Sequence, residues 1–283
     1  MRRPAVLVPV LSLLALMLLG CSGSTGATPS NPAAQPSFPA DSYMARIQQR
    51  GQLIVGVKYD TPPFGSLNPV SNQVEGFDPD LGRALARALF GDEKKVRFDE
   101  AVSRNRVPFL QEDKVDVVLS TMTITDERRQ EIDFSDTYYM AGQSILVRKG
   151  SPIQNVNDLN GRTVASAQGS TSEVNVRERA PTANLLLFPA YAESLAALKD
   201  GRADAVSTDD TILMGMILKD QDLQMVGGLF TQEPYGAGIK KGRPEFVAFV
   251  NGVFNDLKAN GGWTDLYKKH IAPLSGFVAD PPR

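Results

Sequence analysis

The sequence predicts an α/β protein with mostly parallel sheets flanked by helices, arranged as two lobes of related plan. Short apolar runs alternate with segments in which apolar residues recur every three or four positions, a pattern typical of parallel sheets covered by helices. Leu110 with residues 115–118 (VDVV) recurs 88 residues later as Leu198 with residues 203–206 (ADAV). Residues 41–283 are long enough for one large domain or for two lobes, and the repeat favours two lobes.

The elements of the first half follow from apolar runs and from residues that start or end helices. Asp78 and Pro79 predict a helix start, because aspartate caps helices and proline suits their first position. Residues 52–57 form a continuous apolar run, which is typical of a buried parallel strand. The other predictions are a helix from Asp41 to Arg50 ended by Gly51, a helix at 105–112, a strand at 115–120, a helix from Thr125, and a β segment at 143–148.

Strands and helices alternate again in the second half. Ser170 and Glu173 form a capping-box pattern directly after an apolar run, so a helix is expected to begin there. The last helices carry aromatic residues at helical spacing, which we expect to lie in the core. The predicted elements are a strand at 162–166, a helix after Ser170, a helix at 194–199, a strand at 203–207 and a helix after Asp209.

Composition and charge exclude several classes of function. The chain has 30 basic and 32 acidic residues. Without Arg2 and Arg3 of the leader, 28 basic against 32 acidic residues give a net charge of −4, which does not suit a nucleic-acid-binding surface. Cys21 is the only cysteine and His270 the only histidine. This argues against internal disulfides, Cys/His zinc sites, Cys–His nucleophiles and Ser–His triads. We therefore expect no metal and no cofactor.

Residues 1–40 are expected to be a leader and a tether. Two arginines precede an apolar stretch shorter than the ~20 residues that span a bilayer, so residues 1–20 are interpreted as a signal peptide. The segment ends in Leu-Leu-Gly-Cys, which resembles the bacterial lipobox and predicts lipid attachment at Cys21. Residues 21–40 are rich in Ser, Thr, Pro, Ala and Gly, and we predict a lipidated flexible tether. The alternative is an ordinary secretory leader with an incidental cysteine.

Two predicted helix starts are suited to binding an anion. Ser170 and the next residues begin one helix, and the segment from Thr121 to Arg128 has the same arrangement in the other half. The planar guanidinium of Arg128 matches a carboxylate in a bidentate manner. Ligands of open α/β sheets bind beyond the carboxyl ends of the strands, where the repeat aligns Thr121 with Asp209. Each pattern is weak alone, because capping boxes are common and Arg128 could be a solvated helix residue.

Three stretches resemble the signature segments of a known family. They are residues 76–81 (GFDPDL), 123–129 (TITDERR) and 132–139 (IDFSDTYY), and they resemble the polar amino-acid-binding solute receptors, family 3, of bacterial ABC importers. The resemblance covers residues 44–272. It implies a type II periplasmic-binding-protein fold, in which two lobes joined by two hinge strands close on one amino acid. The hinge strands would lie near 138–142 and 231–235, lobe 1 would be 44–138 plus 236–283, and lobe 2 would be 142–231.

The resemblance also implies roles for individual residues. Arg128 would hold the ligand α-carboxylate, assisted by Thr123, Ser170 and Thr171. Asp209 would accept the ligand ammonium together with Thr121. This agrees with physical expectation, because a zwitterion leaving water needs partners for both of its charges. Asp210 is a rival for the acceptor role, and Asp209 could alternatively be only the N-cap of the following helix.

Selectivity would depend on two further basic residues. Where glutamine-binding relatives carry an acid near the end of the first strand, this chain has Lys58, and where they carry an aliphatic residue it has Arg106. Both resemble the basic residues of acidic amino-acid receptors, with Ser103 and Tyr191 as further side-chain contacts. The net charge of the predicted site is +2, from Lys58, Arg106 and Arg128 against Asp209. This charge favours glutamate or aspartate as the ligand. The alternatives are a solvated lysine at a strand end and a surface helix arginine.

The predicted function is that of an exported receptor, not an enzyme. It would be lipid-anchored to the outer face of the bacterial cytoplasmic membrane, bind free glutamate or aspartate as a monomer, and deliver it to an ABC permease. No nucleic acid is expected as a partner. One alternative is an amino-acid sensor domain that signals to a membrane protein. Another is a dehydratase of small carboxylates, because the same fold is also used by enzymes.

Overall fold

The strands of the protein form two five-stranded sheets and two smaller sheets. The computed structural model describes residues 36–283, so the predicted signal peptide, Cys21 and most of the predicted tether lie outside the described residues. In chain order the strands are β1 Leu53–Val57, β2 Asp60–Thr61, β3 Gly65–Leu67, β4 Val74–Glu75, β5 Val96–Glu100, β6 Val117–Val118, β7 Ile132–Phe134, β8 Tyr139–Ala141, β9 Gln143–Arg148, β10 Thr163–Ala167, β11 Asn184–Phe188, β12 Ala205–Asp209, β13 Leu223–Val226, β14 Glu233–Tyr235 and β15 Gly238–Lys240.

Helices pack against both large sheets. In chain order they are α1 Tyr43–Arg50, α2 Phe77–Phe90, α3 Arg106–Gln111, α4 Asp126–Glu131, α5 Thr171–Arg179, α6 Tyr191–Lys199, α7 Asp210–Ile217, α8 Pro244–Ala259, α9 Gly262–His270 and α10 Ala272–Ser275. Short 3₁₀ helices occur at Ser103–Asn105 and Val156–Leu159. Among the described residues, none of these helices combines the length and apolarity that a membrane span requires.

Each large sheet is mixed. In the first sheet, ordered β5-β1-β6-β15-β7, the first three strands are parallel, and β15 is antiparallel to both of its neighbours. In the second, ordered β11-β10-β12-β9-β13, the first three are parallel, and β9 is antiparallel to both neighbours. Antiparallel pairing is thus more frequent than the alternation pattern predicts. The reason is that β9 and β15 each enter a sheet directly after the chain has crossed from the other.

Two crossing strands connect the sheets. β8 leads from the first sheet to the second, β14 leads back, and the two pair antiparallel with Tyr139 opposite Tyr235. Aromatic rings pack around this pair: the ring of Phe64 lies 4.9 Å from that of Tyr139 and 5.4 Å from that of Tyr235. The first lobe is the sheet β5-β1-β6-β15-β7 with the helices packed on it, and the second lobe is the sheet β11-β10-β12-β9-β13 with its helices. The residue ranges predicted for the lobes stay a prediction.

Local sequence explains most elements of the first lobe. Every residue of β1 is buried, as its apolar run predicts. α2 begins two residues earlier than predicted, at Phe77, and its N-cap is Gly76, not Asp78. Gly76 has φ 138°, and a Cβ there would lie 2.1 Å from the carbonyl oxygen of Phe64, so only glycine fits. The carboxylate of Asp78 is therefore free to bind elsewhere.

The C-terminal helices supply core residues, as predicted from their aromatic spacing. Four aromatic side chains of α8 and α9 are buried: Phe246, Phe254, Trp263 and Tyr267. The indole Nε1 of Trp263 donates to the carbonyl oxygen of Tyr138, 2.8 Å away, just before crossing strand β8. This end of the chain therefore packs against the crossing strands and supports them.

Candidate ligand-binding site

The candidate residues meet where strands of the two large sheets end. Lys58 follows β1, Thr121 lies shortly after β6, and Asp209 is the last residue of β12. Ser170 lies between β10 and helix α5. All four are buried, and they come from both lobes. The fold thus brings together residues that are far apart in the chain, as expected for ligand sites of α/β sheets.

Arg128 reaches from the first lobe to the second. Thr125 caps the short helix α4 by accepting the backbone N–H of Arg128 at 3.3 Å. The guanidinium of Arg128 donates to the carbonyl oxygen of Thr123 at 2.7 Å and to that of Gly169 at 3.3 Å. Its partners are neutral carbonyls, so its positive charge is not neutralised by them.

The residues predicted to assist Arg128 lie at the start of α5. The hydroxyl oxygens of Thr123 and Thr171 are 3.3 Å apart across the two lobes. The hydroxyl of Ser170 caps α5 by accepting the backbone N–H of Glu173 at 3.2 Å, and donates to the carbonyl oxygen of Ala167 at 2.7 Å. The predicted capping role of Ser170 is thus confirmed, and the first backbone amides of α5 lie close to Arg128.

Asp209 is a buried carboxylate with only one oxygen engaged. Its Oδ2 accepts a hydrogen bond from the hydroxyl of Tyr235, and its Oδ1 has no partner among residues 36–283. Asp209 occupies the N-cap position of α7, but its side chain makes no capping hydrogen bond. Burial, followed by the nearby charge of Glu233, raises the pKa of the Asp209 carboxyl to about 7. The rival Asp210 is engaged differently, because its Oδ1 accepts from the hydroxyl of Thr211 at 3.2 Å.

Lys58 is not a solvated lysine at a strand end. Its side chain is only 3% exposed, and its Nζ donates to the carbonyl oxygen of Ser120 and to the hydroxyl of Thr121, each at 2.8 Å. The Nζ also lies 5.9 Å from the ring centre of Tyr191. Burial, reinforced by the charge of Arg106, holds the pKa of Lys58 well below its usual range.

Arg106 is likewise buried and is not a surface residue, with 2% exposure. Its guanidinium donates to the carbonyl oxygens of Ser103, Ser120 and Thr121 at 3.1, 3.0 and 2.9 Å. Burial lowers the pKa of Arg106, and the neighbouring charge of Arg128 adds to this effect. Arg106 therefore braces the turn that carries Thr121, in addition to any contact with a ligand.

The last two predicted contacts differ in their surroundings. The hydroxyl of Ser103 is buried and has no partner among the described residues. The hydroxyl of Tyr191 accepts a hydrogen bond from that of Thr208 at 2.7 Å. Ser103 belongs to the first lobe and Tyr191 to the second.

Sequence reasoning missed Asp78, which lies inside the GFDPDL stretch. Its Oδ2 accepts the backbone N–H of Thr121 and its Oδ1 accepts the hydroxyl of Tyr138, both at 2.9 Å. Thr121 has φ +46°, an unusual conformation for a β-branched residue, and this hydrogen bond helps to hold it. Burial raises the pKa of the Asp78 carboxyl to about 6. The sequence did contain a signal for this role, because Asp78 is an acidic residue on a helix face whose other residues are apolar.

A second missed carboxylate is Glu233 on crossing strand β14. It is 3% exposed, and its Oε1 accepts from the side-chain amide of Asn175 and the hydroxyl of Thr231, both at 2.8 Å. Its charge acts on both Arg128 and Asp209. With Asp78 and Glu233 counted, three cations face three carboxylates, and the +2 obtained from the sequence becomes zero.

The comparisons with known proteins identify the family. The model of the bacterial extracellular solute-binding proteins, family 3, matches residues 53–273. The chain belongs to this family. The predicted family and its type II periplasmic-binding-protein fold are thereby confirmed, and the protein is a solute-binding protein and not an enzyme.

Individual relatives of the family 3 protein support this assignment. It is 45% identical over 229 residues to the ABC transporter glutamine-binding protein GlnH of Bacillus subtilis, covering 81% of this chain and 84% of that protein. It is 30% identical over 252 residues to the glutamate-binding protein GluB of Corynebacterium glutamicum, covering 85% of each chain. Among solved structures, an ancestral arginine-binding protein bound to glutamine matches with a TM-score of 0.74 and 37% identity, covering 78% of this chain and 98% of that one.

Proposed function

We propose that this family 3 protein is the receptor of an ABC importer and binds one amino acid between its lobes, and that the amino acid is glutamine. The observation that carries the proposal is the pairing of a cation and a carboxylate, Arg128 and Asp209, at the junction of the lobes. A free amino acid has the complementary pair of charges. The proposed roles of all site residues follow from this pairing.

The α-carboxylate would bind to Arg128. The guanidinium of Arg128 bonds only to carbonyl oxygens among the described residues, and a carboxylate forms stronger, charge-assisted hydrogen bonds with it. Thr123, Ser170 and Thr171 lie beside it, and the free amides at the start of α5 favour an anion. Because these groups come from both lobes, a bound carboxylate would hold the lobes together.

The ammonium would bind to Asp209. Its Oδ1 is buried without a partner among residues 36–283, and leaving such an oxygen unpaired is costly. A ligand ammonium would pair with it and would offset the burial that raises its pKa. The hydroxyl of Thr121 is the second proposed acceptor.

Glutamine is favoured for the side chain because the three cations of the site are matched by the three buried carboxylates Asp78, Asp209 and Glu233. Three cations and three carboxylates leave no net charge for an acidic side chain to neutralise. The GlnH relative, named as a glutamine-binding protein, is also more similar to this chain than GluB, named as a glutamate-binding protein. Lys58, Ser103, Arg106 and Tyr191 would surround the ligand side chain.

Glutamate or aspartate is a second candidate, favoured by a specific observation. Within residues 36–283, neither Lys58 nor Arg106 forms an ion pair with a carboxylate. A side-chain carboxylate would supply one. Burial also raises the pKa values of Asp78 and Asp209, so part of the compensating negative charge is lost near neutral pH.

Calorimetry tests the ligand directly. The purified protein is unfolded and refolded to remove any bound amino acid, and is then titrated with glutamine, glutamate, aspartate and asparagine. We expect tight binding of glutamine and much weaker binding of the acids. If the acids bind more tightly, the second candidate is correct and the charge balance does not decide selectivity. If none of the four binds, the proposed ligand class is wrong.

We further propose that Cys21 carries a lipid and that the residues after it tether the receptor, as a monomer, to the outer face of the cytoplasmic membrane. The predicted tether ends earlier than residue 40, because the ring of Phe38 packs 5.6 Å from that of Phe249 and the carbonyl oxygen of Pro36 accepts from the side-chain amide of Gln48 at 2.7 Å. The support is the Leu-Leu-Gly-Cys sequence and the composition of the tether. A short tether keeps the receptor at a high local concentration near its membrane partner. That partner is proposed to be a permease, and the alternative is a membrane sensor protein. If a strain that lacks this receptor no longer takes up the ligand, signalling to a sensor is not the receptor's sole role.

A further inference from the structure

Tyr235 contacts both ends of the candidate site. It is the last residue of crossing strand β14 and is fully buried. Its hydroxyl donates to Oδ2 of Asp209, which ends strand β12 in the second lobe. Its backbone forms an isolated antiparallel bridge with Thr123 of the first lobe. One hinge residue thus links the proposed ammonium end to the proposed carboxylate end.

Backbone hydrogen bonds on both sides reinforce the bridge to Thr123. The amide of Ile124 donates to the carbonyl oxygen of Pro234 at 2.8 Å, and the amide of Gly236 donates to that of Met122 at 3.0 Å. The carbonyl oxygen of Thr123 accepts from Arg128. The position of Arg128 is therefore tied through Thr123 to the strand that carries Tyr235.

The ring of Tyr235 is held tightly. Its centre lies 5.4 Å from the ring of Phe64, 5.7 Å from that of Tyr139 and 6.2 Å from that of Tyr138. Close packing of this kind leaves little freedom to rotate. The hydroxyl therefore occupies a fixed place beside Asp209.

We propose that Tyr235 is a positioning residue for the ammonium site: by occupying Oδ2 of Asp209 it leaves Oδ1 as the acceptor and sets its distance from Arg128. This rests on the proposed function, in which Asp209 binds the ligand ammonium. The capping role of Asp209 does not compete, because its side chain makes no hydrogen bond to α7. A tyrosine that acted only in packing would not need its hydroxyl.

The hydrogen bond also favours the charged form of Asp209. The hydroxyl of Tyr235 lowers the pKa of this carboxyl, whereas burial and Glu233 raise it, and the result is about 7. Removing the hydroxyl should therefore raise the pKa further. The charged or titratable groups that face Asp209 from the surrounding elements are Lys58, Arg106, Arg128, Tyr139, Tyr191, Asp210 and Glu233, and all remain in a Tyr235→Phe variant.

Binding of L-glutamine and L-glutamate by Tyr235→Phe tests the positioning role. For whichever of the two amino acids binds wild type more tightly, we expect the affinity of the variant to be lower by about tenfold or more at about pH 6 and by less at about pH 8. The reason is that a larger fraction of Asp209 is protonated at the lower pH. Tyr43→Phe is the matched control, since it removes a buried tyrosine hydroxyl that donates to the carboxylate of Asp116 at 2.6 Å, away from the candidate site. Its affinity should stay within about twofold of wild type.

A ligand-free measurement separates this inference from the proposed function. The pKa of the Asp209 carboxyl is measured by carbon NMR in the wild type and in Tyr235→Phe, with Asp209→Asn used for assignment. A higher pKa in Tyr235→Phe supports the inference even if no amino acid binds, in which case only the proposed function fails. An unchanged pKa, or an affinity loss equal at both pH values and equal to that of Tyr43→Phe, would overturn it.

Discussion

A Cβ atom on Gly215 would lie 1.8 Å from the carbonyl oxygen of Pro62, so two backbones touch where the lobes meet. Gly215 lies in α7 of the second lobe, and Pro62 follows β2. Beside this contact, the carboxylate of Asp60 accepts the backbone N–H of Ala192 in the first turn of α6 at 2.8 Å. The lobes can therefore approach this closely only because residue 215 is a glycine, in addition to the contacts at the candidate site.

Gly215→Ala should weaken ligand binding without contacting the ligand. The added methyl group forces α7 away from Pro62, and overpacking of this kind costs about 1–3 kcal/mol, or about 5- to 150-fold in affinity. Calorimetry with the amino acid that binds wild type measures the loss. The control is Gly252→Ala at an exposed position of helix α8, where nothing lies within 4 Å of the new Cβ, and this variant should bind normally. Equal affinity of both variants would show that the bound form does not contain the contact.

Arg128→Ala should abolish detectable binding while the protein stays folded. Its guanidinium is the proposed partner of the ligand α-carboxylate, and an unpaired buried carboxylate costs several kcal/mol. Arg129→Ala removes the same charge from the adjacent, exposed position and should bind as wild type does. Circular dichroism verifies folding. Affinity retained within a few-fold in Arg128→Ala would contradict the proposed role.

Lys58→Met should change selectivity more than stability. The variant keeps a long side chain but removes the buried charge, so binding of glutamate should fall about tenfold relative to glutamine. The ratio of the two dissociation constants is the measured quantity. Lys94→Met, at an exposed position, should leave the ratio unchanged. If Lys58→Met also leaves it unchanged, Lys58 does not face the ligand side chain.

Asp209→Asn should stabilise the ligand-free protein progressively as pH rises from about 5 to about 8. Burial raises the folded-state pKa of Asp209 from 3.8 to about 7, so the folded protein retains a proton that the unfolded chain has lost. Stability therefore falls with rising pH in this window, by about 3 kcal/mol, and asparagine removes that loss. The melting temperatures of variant and wild type are compared at each pH. Asp256→Asn at an exposed site should show no such trend, and a constant difference for Asp209→Asn would contradict the burial effect.

Cys21→Ser should release the receptor from membranes. Without the thiol the proposed lipid cannot be attached, and the described residues hold no membrane-spanning helix. Fractionation of cells that express wild type or variant measures the membrane-bound share. Ser22→Ala retains the cysteine and should remain in the membrane fraction. A variant at Cys21 found wholly with the membranes would contradict lipid attachment.

Elements with strong local signals could be predicted from sequence. The apolar run of β1, the cap of α5 at Ser170 and the glycine that ends α1 all act within a few residues, so the sequence reveals them. β5 was not predicted, because its residues Val-Arg-Phe-Asp-Glu are mostly charged and only β1 pairs with them at the edge of the sheet. Its strand state depends on that neighbour.

The sequence by itself determined the family, the two-lobed α/β fold and the residues that are proposed for the ligand site. Only the tertiary structure decided how the charges there balance, because burial of Asp78 and Glu233 depends on packing against segments distant in the chain. The same holds for the hydrogen bond from Tyr235 to Asp209 and for the contact of Gly215 with Pro62. Desolvation and steric contact arise between elements, and no local pattern of residues encodes them.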